Sequence, residues 1–302
     1  MTLLLDQPAV HHRTDGVIAV RGADRVAYLH SLLSQDLARA TPGTVADFLY
    51  LDAKGDPIAV GTAVVHAEEI LLVVPVDIAA GTAERLDGFR FMMQVEVQDR
   101  TGLWAVASLR GPGQIQTPGA RSQPMTAAPH GPGLVLRDRD GGVDLVGPRQ
   151  WVADRVAEMD LPQATREDWE RWRITSGRPG WGSEVAPGRR TQELGLLPTH
   201  VHLRKGCYPG QESIAKIYNL GRPRRALAVV EGDGELAPGM ALGEGRRPGE
   251  VTSAAPTGSG GSVALALLPL TGDDLPESLT LPDGRTVRVR HRVGAGLPQP
   301  GA

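Results

Sequence analysis

Three apolar segments separated by short turns lie at residues 48–52, 57–66 and 69–76, and they constrain the fold more than any other feature. Each segment has the length and the composition of a β-strand. Residues 53–56 (AKGD) form the first connection, which is too short for the crossover that a parallel pair of strands requires. The sequence therefore predicts an antiparallel meander in this part of the chain.

The segments around the meander alternate between strand and helix patterns. Residues 16–21 alternate like a strand, and Asp24 is a candidate N-cap for a helix whose apolar positions continue to Leu37. Further helices are predicted at 79–89, 148–159 and 165–176, a strand is predicted at 94–99, and a connecting loop is predicted at 111–133. This mixture of antiparallel sheets and helices is typical of the α+β class.

The last part of the chain changes character. From residue 226 to about residue 292, strands alternate with Gly/Pro turns, which predicts a small C-terminal β-barrel. We therefore expect two domains, 1–220 with an internal crossover near 110–135, and 221–302 with a disordered tail from residue 294.

Composition excludes several classes of protein. With 302 residues and 41% hydrophobic residues, the chain can bury a substantial core, but no apolar run approaches the roughly 20 residues of a membrane helix. The net charge of −3 argues against nucleic acid as a general partner. One cysteine excludes an internal disulfide and is consistent with a reducing compartment, so we expect a cytoplasmic protein without a membrane partner.

The octamer 205–212 (KGCYPGQE) contains that cysteine, Cys207, together with two glycines, an amide and a carboxylate. Positive charge on Arg204 and Lys205 favours the thiolate form of Cys207, provided that the segment is not buried in apolar surroundings. The glycines allow a sharp turn or a close approach of the backbone to a ligand. A tight turn around a buried, inert cysteine is the alternative.

This octamer resembles the signature of the YgfZ-type folate-binding proteins, a branch of the aminomethyltransferase (glycine cleavage T-protein) superfamily. Other segments fit the family in the same order, namely 21–24 (RGAD), 34–36 (SQD), 51–55 (LDAKG) and 249–254 (GEVTSA). The resemblance implies a bipartite aminomethyltransferase-type folate-binding region followed by a C-terminal barrel. It also implies binding of tetrahydrofolate, or of a polyglutamylated or one-carbon-substituted folate, in support of iron–sulfur cluster assembly or repair in client enzymes.

The resemblance also implies roles for individual residues. In the superfamily a Gly-x-Glu element contacts the pterin, and Gly182 and Glu184 match it here. A carboxylate can accept hydrogen bonds from the amino edge of a pterin. Cationic candidates for the carboxylates of the folate tail are Lys205, Arg204 and Arg178. Tyr208 and Gln211 are further candidates for ligand contacts, and Cys207 is the candidate reactive thiol.

Two other functions remain open. A true folate-dependent transferase of this superfamily carries an Asn and a catalytic Asp after a Val-Val strand, but Pro75 and Thr82 stand at those places here, with Asp77 the nearest carboxylate. This departure puts aminomethyl transfer in doubt. The other alternative is a non-catalytic module for RNA or protein, favoured by the basic residues of 222–225 and by Lys216.

No metal is expected to reside in the chain. His200 and His202 with Cys207 would supply at most three ligands without the spacing of a zinc site, and one cysteine does not hold an iron–sulfur cluster. The expected partners are therefore a folate and iron–sulfur client proteins or assembly factors.

Overall fold

The computed structural model describes residues 4–220, 223–243 and 248–297. Contacts divide the chain into two units that interleave in sequence. The first unit comprises Met1–Tyr50, Ala59–Arg166 and Gly206–Tyr208, and the second comprises Leu51–Ile58, Glu167–Lys205 and Pro209–Ala302. The domain boundary predicted at residue 220 divides the chain differently from these units, and it stays a prediction.

Within the described residues, the first unit contains two five-stranded sheets and three helices. One sheet has the strand order β1-β7-β10-β9-β8 and the other has the order β3-β4-β5-β2-β6. The strands are β1 (Ala9–Arg13), β2 (Asp15–Arg21), β3 (Val45–Leu51), β4 (Pro57–Val65), β5 (Glu69–Pro75), β6 (Glu96–Asp99), β7 (Trp104–Arg110), β8 (Thr126–His130), β9 (Gly133–Arg137) and β10 (Val143–Pro148). The helices are α1 (Arg25–Leu32), α2 (Val76–Gly88) and α3 (Arg149–Ala157).

Apolar residues from both sheets share one core. Val17, Leu71 and Val73 of the second sheet pack in the same buried cluster as Val106 and Val146 of the first sheet. On its other face the first sheet packs against α3, where Val152 and Val156 are buried. Removal of these apolar side chains from water is the main stabilising contribution to this layered arrangement.

In the part of the chain that the structure describes, the second unit contains three α-helices, a short 3-10 helix at Thr191–Glu193 and a six-stranded sheet of order β12-β13-β14-β11-β16-β15. The helices are α4 (Arg166–Thr175), α5 (Leu197–His200) and α6 (Gln211–Leu220), and the strands are β11 (Arg225–Asp233), β12 (Ala241–Leu242), β13 (Gly249–Pro256), β14 (Gly261–Pro269), β15 (Ser278–Thr280) and β16 (Thr286–Arg292).

The six strands form a nearly closed barrel. The amide of Gly243, just after β12, donates a hydrogen bond to the carbonyl of Thr280 at the end of β15, so the two edges of the sheet meet (3.2 Å). Apolar side chains from the barrel strands, including Val230, Val251 and Leu268, fill the interior. The predicted α+β class with antiparallel sheets and a C-terminal barrel is confirmed.

Several local predictions differ from the structure. Helix α1 ends at Leu32 rather than near Leu37, because Leu33 forms an isolated antiparallel bridge with Tyr50. Asp24 makes no side-chain cap for α1, since its carboxylate instead accepts a hydrogen bond from the amide of Gln94 (2.7 Å). The segment 111–133, predicted as a loop, contains β8 and the start of β9. Strands β1, β7, β9 and β10 were not predicted from the sequence.

The remaining predictions concern the C-terminal tail and the basic segment at 222–225. Gly294 belongs to a turn packed against Gly195, so the predicted disorder from residue 294 does not begin there. Residues 298–302 and Arg222 lie outside the described residues.

Candidate functional site

Two segments that match the family signature pack directly against each other within the second unit. Gly210 (φ +78°) belongs to the octamer, and a Cβ atom built on it would lie 2.7 Å from the carbonyl oxygen of Asp52 and 2.8 Å from the Cα of Gly55. A Cβ atom built on Gly55 (φ +88°) would in turn lie 2.8 Å from the Cβ of Ser213. Both positions therefore require glycine, for backbone conformation and for space.

The turn at 51–56 is fixed by the side chain of Asp52. Its Oδ1 accepts hydrogen bonds from the amides of Lys54 (2.8 Å) and Asp56 (2.9 Å), which is a typical Asx-turn arrangement. The carboxylate of Asp56 accepts a hydrogen bond from the amide of Gly188 (3.3 Å). Lys54 is exposed at the tip of this turn.

The octamer and the arginine before it contain both buried and exposed side chains. Lys205 and Tyr208 are buried, whereas Arg204 and Cys207 are exposed, and Cys207 is a free thiol. Burial raises the pKa of Tyr208 to about 12, so the phenol is neutral at physiological pH. The two buried side chains thus anchor a turn that presents the thiol to solvent, and the alternative of a buried cysteine is wrong.

Helix α1 lies beside this turn in the first unit. A Cβ atom on Gly206 would lie 3.8 Å from Nε2 of His30 in α1. The amide of Leu37 donates to Nδ1 of His30 (3.2 Å), and Oδ1 of Asp36 lies 3.2 Å from the same nitrogen. The imidazole is therefore held by the segment that follows α1, with its other nitrogen near the octamer.

Gln211 and Glu212 occupy the first turn of α6. Gln211 is half-buried and Glu212 is exposed. The carbonyl of Ser213 accepts a hydrogen bond from Nε2 of Gln192 (3.4 Å), which ties the start of α6 to the 3-10 helix. A carboxylate in the first turn interacts favourably with the helix dipole.

Glu184 is fully buried in a hydrogen-bonded network of the second unit. Its Oε1 accepts a hydrogen bond from Oγ of Ser253 (2.6 Å). Its Oε2 accepts from Nη1 of Arg173 (3.1 Å) and from the amide of Gly180 (2.8 Å). The predicted contact between Glu184 and a pterin stays a prediction, and the carboxylate has three donors from the protein itself.

Arg173 in α4 is the centre of that network. Its guanidinium also donates to Glu170 (2.7 Å), to Ser253 (2.9 Å) and to the carbonyl of Arg178 (2.7 Å). Burial opposes the charge, but the hydrogen bonds to Glu170 and the charge of Glu184 outweigh it and raise the pKa of Arg173 above its ordinary value. Arg173 and Ser253 were not among the predicted site residues, although Ser253 lies in a segment matched to the family.

Arg178 follows this helix and stacks on an aromatic ring. Its guanidinium carbon lies 4.7 Å from the centroid of the Trp172 ring, a cation–π geometry. Trp169 and Trp172 are 4.7 Å apart between ring centroids, and Trp172 is buried. Trp169 is half-buried beside it.

The positions that correspond to the Asn and the catalytic Asp of the transferases hold other residues here. Pro75 ends β5 and precedes α2, Asp77 is exposed in the first turn of α2, and Thr82 is buried within that helix. The residue at the expected catalytic position therefore carries neither a carboxylate nor an exposed side chain.

The described residues hold no group of three or more His, Cys, Asp or Glu side chains arranged for a metal ion. His200 ends the short helix α5, and His202 follows two residues later. None of the helices in the described ranges is long and apolar enough to cross a membrane.

An open cavity of about 220 Å³ lies in the second unit, lined in part by Gln192, Glu193 and Arg292.

Comparison with known proteins places this geometry in a recognised fold. The glycine cleavage system aminomethyltransferase T from Bartonella henselae is similar over 99% of this chain and 88% of its own, with a TM-score of 0.77 and 16% identity. No family model matches the chain. The fold is that of an aminomethyltransferase.

Two curated sequences are also similar. A chloroplastic protein of Arabidopsis thaliana, provisionally named a transferase, is 28% identical over 262 residues, which cover 79% of this chain and 59% of the relative. The tRNA-modifying protein YgfZ of Colwellia psychrerythraea is 25% identical over 227 residues, 70% of this chain and 68% of the relative. The chain is thus similar in sequence to a YgfZ protein and has the fold of an aminomethyltransferase.

Proposed function

We propose that this protein binds a reduced folate and supports the assembly or repair of iron–sulfur clusters in client enzymes. The observation that carries the proposal is the packing of the octamer against the turn at 51–56, which requires Gly55 and Gly210, in a segment whose Cys207 is exposed. These residues come from two signature segments of the YgfZ-type branch. The aminomethyltransferase fold provides the expected frame for a tetrahydrofolate or a polyglutamylated form of it.

The folate is proposed to contact Glu184, Lys205, Arg204, Tyr208 and Gln211. Glu184 would accept hydrogen bonds from the amino edge of the pterin, with the ligand taking the place of Ser253 on Oε1. Positive charge on Lys205 or Arg204 suits the carboxylates of the tail. Cys207 is the proposed functional thiol, and the proposed location is the cytoplasm.

The role of Glu184 is tested by titrating the protein with (6S)-5-formyltetrahydrofolate, using the variants Glu184→Gln and Ser253→Ala. If the pterin takes Oε1, Glu184→Gln weakens binding by about tenfold or more, whereas Ser253→Ala leaves affinity unchanged or higher, because a competing donor is removed. Glu68→Gln, an exposed carboxylate remote in sequence, is the matched control. If Glu184→Gln and Ser253→Ala both weaken folate binding, each in proportion to its loss of stability, the role of Glu184 is purely structural.

The role of Cys207 is tested separately. We expect Cys207→Ala to retain folate affinity but to fail in restoring iron–sulfur enzyme activities in cells that lack the protein. Enzymes with other cofactors in the same extracts provide the control. Full restoration by Cys207→Ala would remove the thiol from the proposed function.

An RNA-binding function is the second candidate, favoured by the name of the Colwellia relative and by the exposed side chains of Arg204, Lys216 and Arg224. Binding of transfer RNA that weakens steeply with salt and survives Glu184→Gln would support it.

A folate-dependent transferase is the third candidate, although Pro75 and Thr82 stand at the places of its Asn and catalytic Asp. It would transfer a one-carbon unit from a methylamine donor to tetrahydrofolate.

A further inference from the structure

An apolar loop in the first unit is presented to solvent. We define the FM loop as residues 89–94, between α2 and β6. Phe91 is 84% exposed and Met92 is 98% exposed, and Phe89 is 47% exposed. The rings of Phe89 and Phe91 contact edge to face, with centroids 6.3 Å apart. Large apolar side chains that are this exposed and adjacent indicate an interaction site more often than isolated ones do.

Residues of the segment 21–24 (RGAD) contact the last residue of the FM loop, Gln94. The amide of Gln94 donates to the carboxylate of Asp24 (2.7 Å), and the amide of Asp24 donates to the carbonyl of Gln94 (3.3 Å). A Cβ atom on Gly22 (φ +107°) would lie 2.0 Å from that same carbonyl oxygen, so only glycine permits the approach. Gly22 and Asp24 therefore fix the base of the FM loop.

The backbone of the loop is also strained at its tip. Phe91 has a φ of +45°, a region that bulky side chains rarely occupy. The amide of Met93 donates to the carbonyl of Arg90 (2.9 Å), which closes the tight turn. The fixed base and this turn keep Phe91 and Met92 exposed, which lowers the entropy lost when a partner binds.

Acidic side chains border the loop. Glu84, Asp87, Glu96 and Asp99 are exposed on α2 and on the edge strand β6. The basic residues of this stretch are Arg85 and Arg90, and Arg90 pairs with Asp87 (3.3 Å). Arg21 on β2 lies opposite Glu96 and Arg25 lies at the base of the loop, but Asp24 and Glu68 offset these two cations. The border of the FM loop therefore carries a net negative charge.

We propose that the FM loop is a docking site for another protein, whose apolar pocket receives Phe91 and Met92 and whose rim carries Lys or Arg side chains. A second copy of this chain meeting through the same surface would bring like charges together, which is unfavourable. The acidic border likewise opposes an anionic membrane or a nucleic acid. This proposal stands independently of folate binding.

The test uses a photoreactive benzoylphenylalanine placed at position 92 of the full chain, in the cells that make the protein. Leu103 is 67% exposed and lies outside the loop, so the same group at position 103 is the control. We expect light-dependent attachment to one other protein from position 92 only. That protein is then identified by mass spectrometry, purified and titrated against the unmodified chain.

The titration decides the proposal. We expect the double variant Phe91→Ser, Met92→Ser to bind the identified protein at least about tenfold more weakly, and binding of the wild type to weaken as salt rises. Both side chains are exposed, so the variant is expected to keep its fold, which its thermal unfolding checks. The proposal would be overturned if position 92 attached to nothing, attached to a second copy of the chain, or attached no better than position 103. Unchanged affinity of the double variant would also overturn it.

Discussion

The hydroxyl of Ser253 on barrel strand β13 donates a 2.6 Å hydrogen bond to the buried carboxylate of Glu184, 69 positions earlier in the chain. The same hydroxyl accepts a hydrogen bond from Arg173. Ser253 therefore connects both members of a buried ion pair to the barrel, and the network fixes the turn that carries the Gly-x-Glu element of the family.

Removal of Glu184 is expected to destabilise the protein strongly. Glu184→Ala leaves Arg173 without one of its carboxylates in a buried site, and we expect a loss of about 3–5 kcal/mol in the free energy of unfolding. Ser253→Ala is expected to cost less, about 1–3 kcal/mol. Urea denaturation measures both, with Glu68→Ala as an exposed control expected within about 0.5 kcal/mol of the wild type. Equal stability of Glu184→Ala and wild type would contradict the network.

Gly210 and Gly182 form a matched pair for testing the packing of the signature segments. Both have positive φ, at +78° and +85°, but a Cβ on Gly210 would meet the backbone at 2.7 Å, whereas nothing lies within 4 Å of one on Gly182. We expect Gly182→Ala to cost about 1–2 kcal/mol from backbone strain alone. Gly210→Ala should cost clearly more in the same thermal denaturation assay, and equal costs would show that the loops separate easily.

Tyr208 provides a spectroscopic test of burial within the octamer. Its pKa is raised from 10.0 to about 12, so the folded state retains the proton more strongly than the unfolded state. Stability from this group is therefore complete below pH 10 and is lost as pH rises towards 12, by roughly 2–3 kcal/mol. We expect Tyr208→Phe to lose less stability than the wild type over this range. A phenolate absorbance change at 295 nm centred near pH 10 for this residue would contradict its burial.

Glu69 provides the corresponding test at low pH. Burial opposes its charge, but hydrogen bonds from Arg100 and Arg21 and their positive charge outweigh it and lower the pKa of Glu69 below 4.5. Stability from this carboxylate is present above pH 4.5 and is lost as pH falls through the lowered pKa. Glu69→Gln is therefore expected to be less stable than the wild type at pH 7, with a difference that shrinks in acid. A difference independent of pH would exclude the ion pairs as its cause.

The sequence predicted those elements whose periodicity is local. Strands β4 and β5 and helix α4 agree within one residue with the predicted segments, whereas α2 begins three residues before the helix predicted at 79–89. Strand β9 is buried along its whole length and therefore lacks an alternating pattern. Strand β8 contains Pro129 and alanines, which are poor strand formers, so its pairing with β9 decides its structure.

Helix α1 shows how a real apolar pattern predicted the wrong end. Leu33 and Leu37 are buried as expected for one helical face, but they follow the helix rather than belonging to it. For the site, the octamer and the turn at 51–56 were identified from the sequence, whereas their contact was not. Arg173 and Ser253 are 80 positions apart, and no local pattern relates an interior arginine to a strand serine.

Folate binding by the unmodified chain is the most direct test of the proposed function. Calorimetric titration with (6S)-5-formyltetrahydrofolate and its polyglutamylated form is expected to give a one-to-one complex with micromolar or tighter affinity, about −8 kcal/mol or more favourable. The polyglutamylated form should bind more tightly, and its advantage should decrease with salt. Absence of heat and of any thermal stabilisation with both forms would contradict the proposal.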